Sequence, residues 1–362
     1  MNFDLSEDQE MFKATAERFV APIDVEARRK IREMDGAYDK ARWQELAELG
    51  FIALAVDENQ GGMGGSLTDL AVIAEAMGQG NAVDPWLENG VLSAKILAAA
   101  GASDTLESVL DGSKIVATAF AEPSGRFNLT PKTTTAKQSG DDFVISGEKR
   151  FVLNGMIADH LLVTCDCGGE MSIFLVPSTA AGLHKRGYRL TDGSMASEIQ
   201  LRNVSVAASA KLDIDSDKFA EIVSEIRLLA SAEMVGLAQR LFDDTVEYVK
   251  QREQFGTAIG SFQVIQHGLV DCYAQLEQMR SMLWRTTLIQ RDEAPTWQAQ
   301  YAGAKAFIGE NAHFIAKRAV QFHGGMGITD ELAVGHAMKR IILLERLFGD
   351  AATNLSEYSE AA

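Results

Sequence analysis

The sequence is poor in cysteine, in basic charge and in long apolar runs, and each shortage excludes something. Three cysteines occur in 362 residues: Cys165, Cys167 and Cys272. An odd number closes no complete disulfide set, and Cys165-x-Cys167 lacks the second pair that a zinc site of that type needs. They read as reduced structural thiols, and a cytoplasmic location is expected. His267, His323 and His336 stand at spacings that fit no ligand template, so no metal is expected. Lysine and arginine total 34 against 51 aspartates and glutamates, a net charge of −17. Nucleic acid is therefore not an expected partner, because neutralising its phosphates needs a basic surface. A small anionic ligand held by a few local arginines is compatible with that charge. No apolar run approaches the roughly 18 to 20 residues of a membrane helix. The acidic opening MNFDLSEDQE has none of the basic-then-apolar pattern of a signal peptide.

What is present is the composition of a soluble globular protein, 46% hydrophobic and 23% charged. The length suits two or three packed units. Residues 1–112 read as a helical domain. Ser6 and Gln9 form a capping-box pattern, with Met11, Phe12, Thr15 and Phe19 behind it at helical spacing. Further helices are expected over 38–49, with Gly50 as the stop, and over 67–77 and 87–100. Gly61-Gly62-Met63-Gly64-Gly65-Ser66 has no Lys-Ser/Thr after it, so it reads as a tight turn in preference to a phosphate loop. Residues 113–213 read as an all-β domain, an antiparallel barrel or sandwich. There, 133–137 and 143–146 flank the hairpin signal Ser139-Gly140-Asp141-Asp142, and short apolar runs follow at 151–153, 161–163 and 173–176. Residues 214–362 carry four long helical runs, 222–250, 261–291, 295–321 and 331–347, which point to an antiparallel bundle. Small residues crowd the first of these at Ala230, Ser231, Ala232, Gly236 and Ala238, so a neighbouring helix can come close.

Two stretches organise the last domain. Arg252-Glu253-Gln254-Phe255-Gly256 breaks the chain between two long helices. A guanidinium there presents a planar fork of donors suited to a diphosphate; the alternative is a solvated arginine in a loop. Gln321-Phe322-His323-Gly324-Gly325-Met326-Gly327 follows a third helix, and its glycines let a ligand approach the backbone.

Together, and in this order behind a helical and a β domain, these stretches resemble the acyl-CoA dehydrogenase family of flavoproteins over essentially the whole chain. The resemblance implies FAD as cofactor and α,β-desaturation of an acyl-CoA thioester. A glutamate takes the α proton, a hydride passes from the β carbon to the flavin, and electrons leave to an electron-transfer flavoprotein. It also implies a flavin site built from two subunits. Arg252, Phe255, Gln263, Gln321, Gly324 and Gly325 match the positions that one subunit supplies. The family's T-E-P-G-x-G-S-D and W-I-T-N-G stretches supply the rest. This chain reads Ala121-Glu122-Pro123-Ser124-Gly125-Arg126 and Phe151-Val152-Leu153-Asn154-Gly155. Ala121 and Leu153 stand where threonines would hydrogen-bond the flavin ring, leaving Ser124 and Phe151 as the candidates on that side.

The base has no clear match. At the family's C-terminal position stands Tyr358, with Glu357 one residue early, which is about 100° around a helix. At its other position, one residue before the substrate-facing arginine matched by Arg227, stands Ile226. Glu225 and Glu233 share that helix at neither spacing, and Glu233 reads as a buried, paired carboxylate. Arg227 is a candidate substrate contact, the alternative being a structural ion pair. The chain looks most like the small subunits of two-component members of the pimeloyl-CoA and steroid side-chain type. That implies assembly with a related larger chain as an α2β2 tetramer, or a homo-oligomer. Three functions stay open: a catalytic subunit, a structural subunit that completes a partner's FAD site, or a paralogue that binds acyl-CoA or nothing at all.

Overall fold

A computed structural model describes residues 4–21, 24–289 and 294–361. It divides into two compact units. One comprises Ile31–Ser66 and Val83–Ile226, the other Met1–Lys30, Leu67–Ala82 and Arg227–Ala362. Helix gives way to strand between Leu110 and Val116, and strand to helix between Leu212 and Ser216. Among the described residues no helix is long and apolar enough to cross a membrane.

Helix α1 (Glu7–Val20) begins at the predicted cap, with Ser6 and Gln9 bonding reciprocally to each other's backbone. Helices α2 (Val25–Glu33) and α3 (Lys40–Glu48) follow. Asp39 caps α3, accepting from Ala41 and Arg42 N–H, and Gly50 takes φ +75° just past its end. The glycine run after it is a turn. The amides of Met63, Gly64 and Gly65 donate back to the carbonyls of Ala53, Val56 and Leu54, so these three N–H groups are not turned to a phosphate. Helix α4 (Leu67–Gln79) precedes a π-helical turn at Trp86–Val91, which leads into α5 (Leu92–Ala99) and α6 (Ser103–Leu110).

The middle of the chain forms one eight-stranded sheet: β1 (Val116–Ala119), β2 (Thr135–Ser139), β3 (Asp142–Leu153), β4 (His160–Cys167), β5 (Glu170–Pro177), β6 (Leu183–Arg189), β7 (Met195–Ala207) and β8 (Lys211–Leu212). The order is β6-β7-β3-β2-β4-β5-β8, with β1 beside β4. The expected hairpin is present with a two-residue loop: Ser139 pairs with Asp142, and Gly140 supplies the positive φ. The sheet is mostly antiparallel, but β1 and β2 run parallel to β4. The expected run at 151–153 is the end of β3, separated from its start by a bulge. The long strand β7, which is not among the expected runs, pairs with both β3 and β6 and alternates buried and exposed residues from Ile199 on, with one break at Arg202–Asn203.

One buried ion pair anchors this sheet. Lys149 on β3 is fully buried, and its three ammonium hydrogens have three acceptors: Phe120 O, Glu122 Oε1 and Thr164 Oγ1, at 3.0–3.1 Å. Glu122 also accepts from the N–H groups of Lys132, Thr133 and Thr134 and from the Thr133 hydroxyl. Burial pushes its carboxyl up, but these backbone donors and the Lys149 charge outweigh it and bring the group down to about 2.

The remaining helices are α7 (Ser216–Gln251), α8 (Gln263–Thr287), α9 (Trp297–His323), α10 (Ala333–Arg346) and a short α11 (Ala351–Ala361). The expected helix over 261–291 is thus α8, and its last two residues lie outside the described ones. The small residues of α7 do what their size predicts. Gly236 of α7 and Gly78 of α4 face each other's helix so closely that a Cβ on Gly236 would lie 1.9 Å from Glu75 O. One on Gly78 would lie 2.0 Å from Glu233 O. Both obstacles are backbone, so neither helix can yield by a side-chain rotation. Gly236→Ala is expected to cost about 3 kcal/mol, and an unchanged denaturation midpoint would show that α4 can move aside.

Candidate functional site

The first motif sits at the α7–α8 junction. Arg252 leaves α7 with its N–H still bonded to Tyr248 O, and the chain returns when Ile259 N–H donates to Arg252 O. Between them, Gln254 pairs with Thr257 in a two-residue hairpin whose tip is Phe255, φ +55°, and Gly256, φ +82°. Positive φ at both positions is the primed turn that tight hairpins require. Glycine adopts it freely; a phenylalanine does so at a cost. The Phe255 ring is 94% exposed and meets Phe262 edge-on, 6.3 Å between centroids. Arg252 is exposed and, among the described residues, forms no ion pair. Gln263 is exposed at the first position of α8, a helix end with no side-chain cap.

The second motif is the end of α9. Gln321 is exposed, and Gly324 terminates the helix at φ +60°, ψ −140° while its N–H bonds to Gln321 O. Around both Gly324 and Gly325 the space a Cβ would occupy is open to 4 Å, so a ligand can lie on the bare backbone.

The fold brings the two motifs together through the residues between Gln321 and Gly324. Phe322 packs its ring onto Gly268 of α8, where a Cβ would lie 2.6 Å from Cζ. His323 stacks on Tyr248, one turn before Arg252, with centroids 4.2 Å apart, and fixes its ring by a 2.8 Å bond between Nδ1 and Ala319 O. The Gln321–Gly325 end is therefore fastened to the end of α7 and the beginning of α8 at once. Tyr248, Gly268 and His323 carry no signal of this in the sequence. His336 Nε2 lies 3.1 Å from Asp330 O, and no three His, Cys, Asp or Glu converge among the described residues.

In the β-sheet unit, Ser124 is exposed on the turn after Glu122, while Ala121 and Leu153 are buried. Phe151 is half-buried with φ +55°, at the bulge where the β3–β7 register slips between Lys149 and Val152. Its N–H is held by the Tyr188 hydroxyl, a phenol that burial pushes up. Asn89, fully buried in the π-helical turn, donates to Val116 O and accepts from Asn154 Nδ2 at 2.8 Å. Tyr188 and Asn89 thus brace the 151–154 segment, a role that no sequence pattern revealed.

Arg227 is buried and already engaged. Its Nε donates to Phe348 O at 2.9 Å, and its Nη1 lies 2.9 and 2.7 Å from the two carboxylate oxygens of Glu357. Tyr358, one residue further round α11, turns to α9, where it packs against Gly303. Tyr358 and Leu355 border a cleft of about 380 Å³ among α8, α9 and α11. Glu233 is paired in both oxygens with Arg340, at 2.6 and 3.1 Å, and Glu225 pairs with Lys95 at 2.9 Å. Every carboxylate weighed as a base is thus held by a cation.

Residues 6–111, 117–204 and 220–360 match, in turn, the acyl-CoA dehydrogenase N-terminal, middle and C-terminal domains. The chain belongs to the acyl-CoA dehydrogenase family. Oxidoreduction is its activity class, and the expected fold of a helical domain, a β domain and a helical bundle is the one found. A probable acyl-CoA dehydrogenase of Bacillus subtilis, YngJ, is 28% identical over 95% of both chains. Among solved structures, PigA with FAD and proline superposes with a TM-score of 0.91 at 25% identity, over 99% of this chain and 98% of that one. A variant of the Tcur3481-Tcur3483 steroid ACAD gives 0.88 at 27% identity, over 98% and 97%.

Proposed function

We propose that this chain is a subunit of an FAD-dependent acyl-CoA dehydrogenase and builds the wall that holds the diphosphate end of FAD. The observation that carries the reading is the fastening of the Gln321–Gly325 end to the Arg252 turn through Phe322 and His323. The residues there fit the group. Arg252 offers donors that no carboxylate among the described residues engages, Gln263 and Gln321 offer exposed amides, the two glycines leave room, and Phe255 offers an apolar face. Bound there, FAD would supply the hydride acceptor for α,β-desaturation of an acyl-CoA, with electrons passed on to an electron-transfer flavoprotein.

The β-sheet side supports the heteromeric form of this reading. Ala121 and Leu153 bring no hydroxyl, and Ala121 O is occupied by Arg150 N–H. Each missing hydrogen bond to a polar ligand weakens binding by on the order of 1 kcal/mol. A larger related chain in an α2β2 assembly would supply the intact counterpart, with Ser124 and Phe151 as this chain's own contributions. A second reading, a structural subunit that completes the partner's site without turnover of its own, is favoured by one observation. Glu357 must leave Arg227 before it can take a proton from carbon, and Arg227 must leave Glu357 before it can meet a substrate.

The test is the visible spectrum of the chain purified alone and after co-expression with a related larger chain. Yellow protein only from the co-expression is expected. A stoichiometric flavin band in the chain alone, bleached anaerobically by an acyl-CoA, would establish a complete site within this polypeptide. No flavin in either preparation would overturn the proposal.

A further inference from the structure

Lys305, in the middle of α9, is 2% exposed, and its Nζ donates to the carbonyls of Glu345 and Gly349, each at 2.8 Å. Those carbonyls bracket the turn between α10 and α11. Phe348 holds φ +56° in that turn, a conformation that a phenylalanine keeps only when its surroundings enforce it, and Gly349 beside it takes +121°. The same turn delivers Phe348 O to Nε of Arg227 and starts the helix that delivers Glu357 to Nη1. Asn354 adds the second tether, its Nδ2 bonding to Gly349 O at 2.7 Å and to Asp350 O at 2.9 Å.

The number of acceptors matters. A neutral amine has two N–H bonds, and two carbonyls receive them; an ammonium has three. Protonation also places a charge among Arg227 from α7, Glu345 from α10 and Asp350 from the turn, with Glu357 of α11 reaching it only through Arg227. Burial disfavours that charge most and Arg227 adds to the effect. Glu345 and Asp350 oppose both, and the balance brings the group down to about 7.

We propose that Lys305 is a positioning residue for Arg227 and acts as a latch: as a neutral amine it closes the α10–α11 turn that holds the Arg227–Glu357 pair, and as an ammonium it loosens that turn. The latch stands on the packing of this bundle alone and does not depend on the flavin reading.

The sign follows from linkage. A buried lysine that is neutral when the turn is closed and charged when it is open makes the closed state more stable as pH rises above about 7. The gain is at most about tenfold in the equilibrium per pH unit, because one proton is linked. Above about 8.5 the buried thiols Cys165 and Cys272, pushed up by burial to about 12 and about 11, begin to act in the opposite direction. The informative window is therefore about pH 6 to 8.5.

Backbone hydrogen exchange of the full-length protein, corrected for intrinsic exchange rates, reads the latch directly. Protection of residues 345–361 is expected to rise about tenfold between pH 7 and 8.5, and to be independent of pH in Lys305→Met. Should that variant fail to fold, the Lys305 resonance in wild-type protein carrying labelled lysine is expected to titrate about three units below the ordinary lysine value. Flat protection in the wild type, a rise that survives in Lys305→Met, or a Lys305 resonance titrating with the surface lysines would each overturn the latch.

Discussion

Arg252→Ala is expected to strip FAD from the purified assembly while leaving the thermal midpoint of the flavin-free chain unchanged. The loss is expected to be about a hundredfold in affinity, since two charge-assisted bonds to phosphate disappear at roughly 1.5 kcal/mol or more each. The folded chain does not depend on that guanidinium, which is exposed and makes no ion pair among the described residues. Arg252→Lys keeps a charge but loses the planar fork, so it should recover only part of the affinity. Flavin-to-protein ratio after gel filtration checks this. Full flavin retention in Arg252→Ala would place the diphosphate elsewhere and remove the basis of the proposed function.

The largest effect on stability is expected at Glu122, where no ligand is involved. Glu122→Ala leaves Lys149 fully buried without its carboxylate and orphans the amides of Lys132, Thr133 and Thr134. Breaking such a pair from one side costs about 3–5 kcal/mol. Replacing both partners, as in Glu122→Gln with Lys149→Met, should return part of that loss, because the buried charge goes too. The acid limb carries the same signature. The folded carboxyl titrates at about 2, below the ordinary glutamate value of about 4.3, so its contribution is complete above about 4.3 and disappears as pH falls towards 2. Urea midpoints between pH 3 and 7 for wild type and Glu122→Ala should converge as the pH falls. Parallel curves would assign the stability to something other than the carboxylate.

Local signals in the sequence determined much of this protein. The Ser6 and Gln9 cap, the Gly140-Asp141 hairpin, the glycine stops and the long helical periods depend on neighbours a few residues apart. Such neighbours act the same way whatever surrounds them. The crowding of small residues on α7 likewise announced a close helix, and Gly236 shows how close. Glu357 and Tyr358, about 100° apart on α11, meet Arg227 and Gly303 respectively. Nothing in the spacing said that Glu357 would meet Arg227.

What the tertiary structure alone decided are the contacts between residues distant in sequence. Phe322 found Gly268, His323 found Tyr248, Lys305 found the carbonyls at 345 and 349, and Glu122 found Lys149. A lysine in a helix reads as solvated until the packing of other helices removes its water. A glutamate after a strand reads as surface until three amides turn towards it. Burial and partnership are properties of the assembled interior, and no window of sequence contains them.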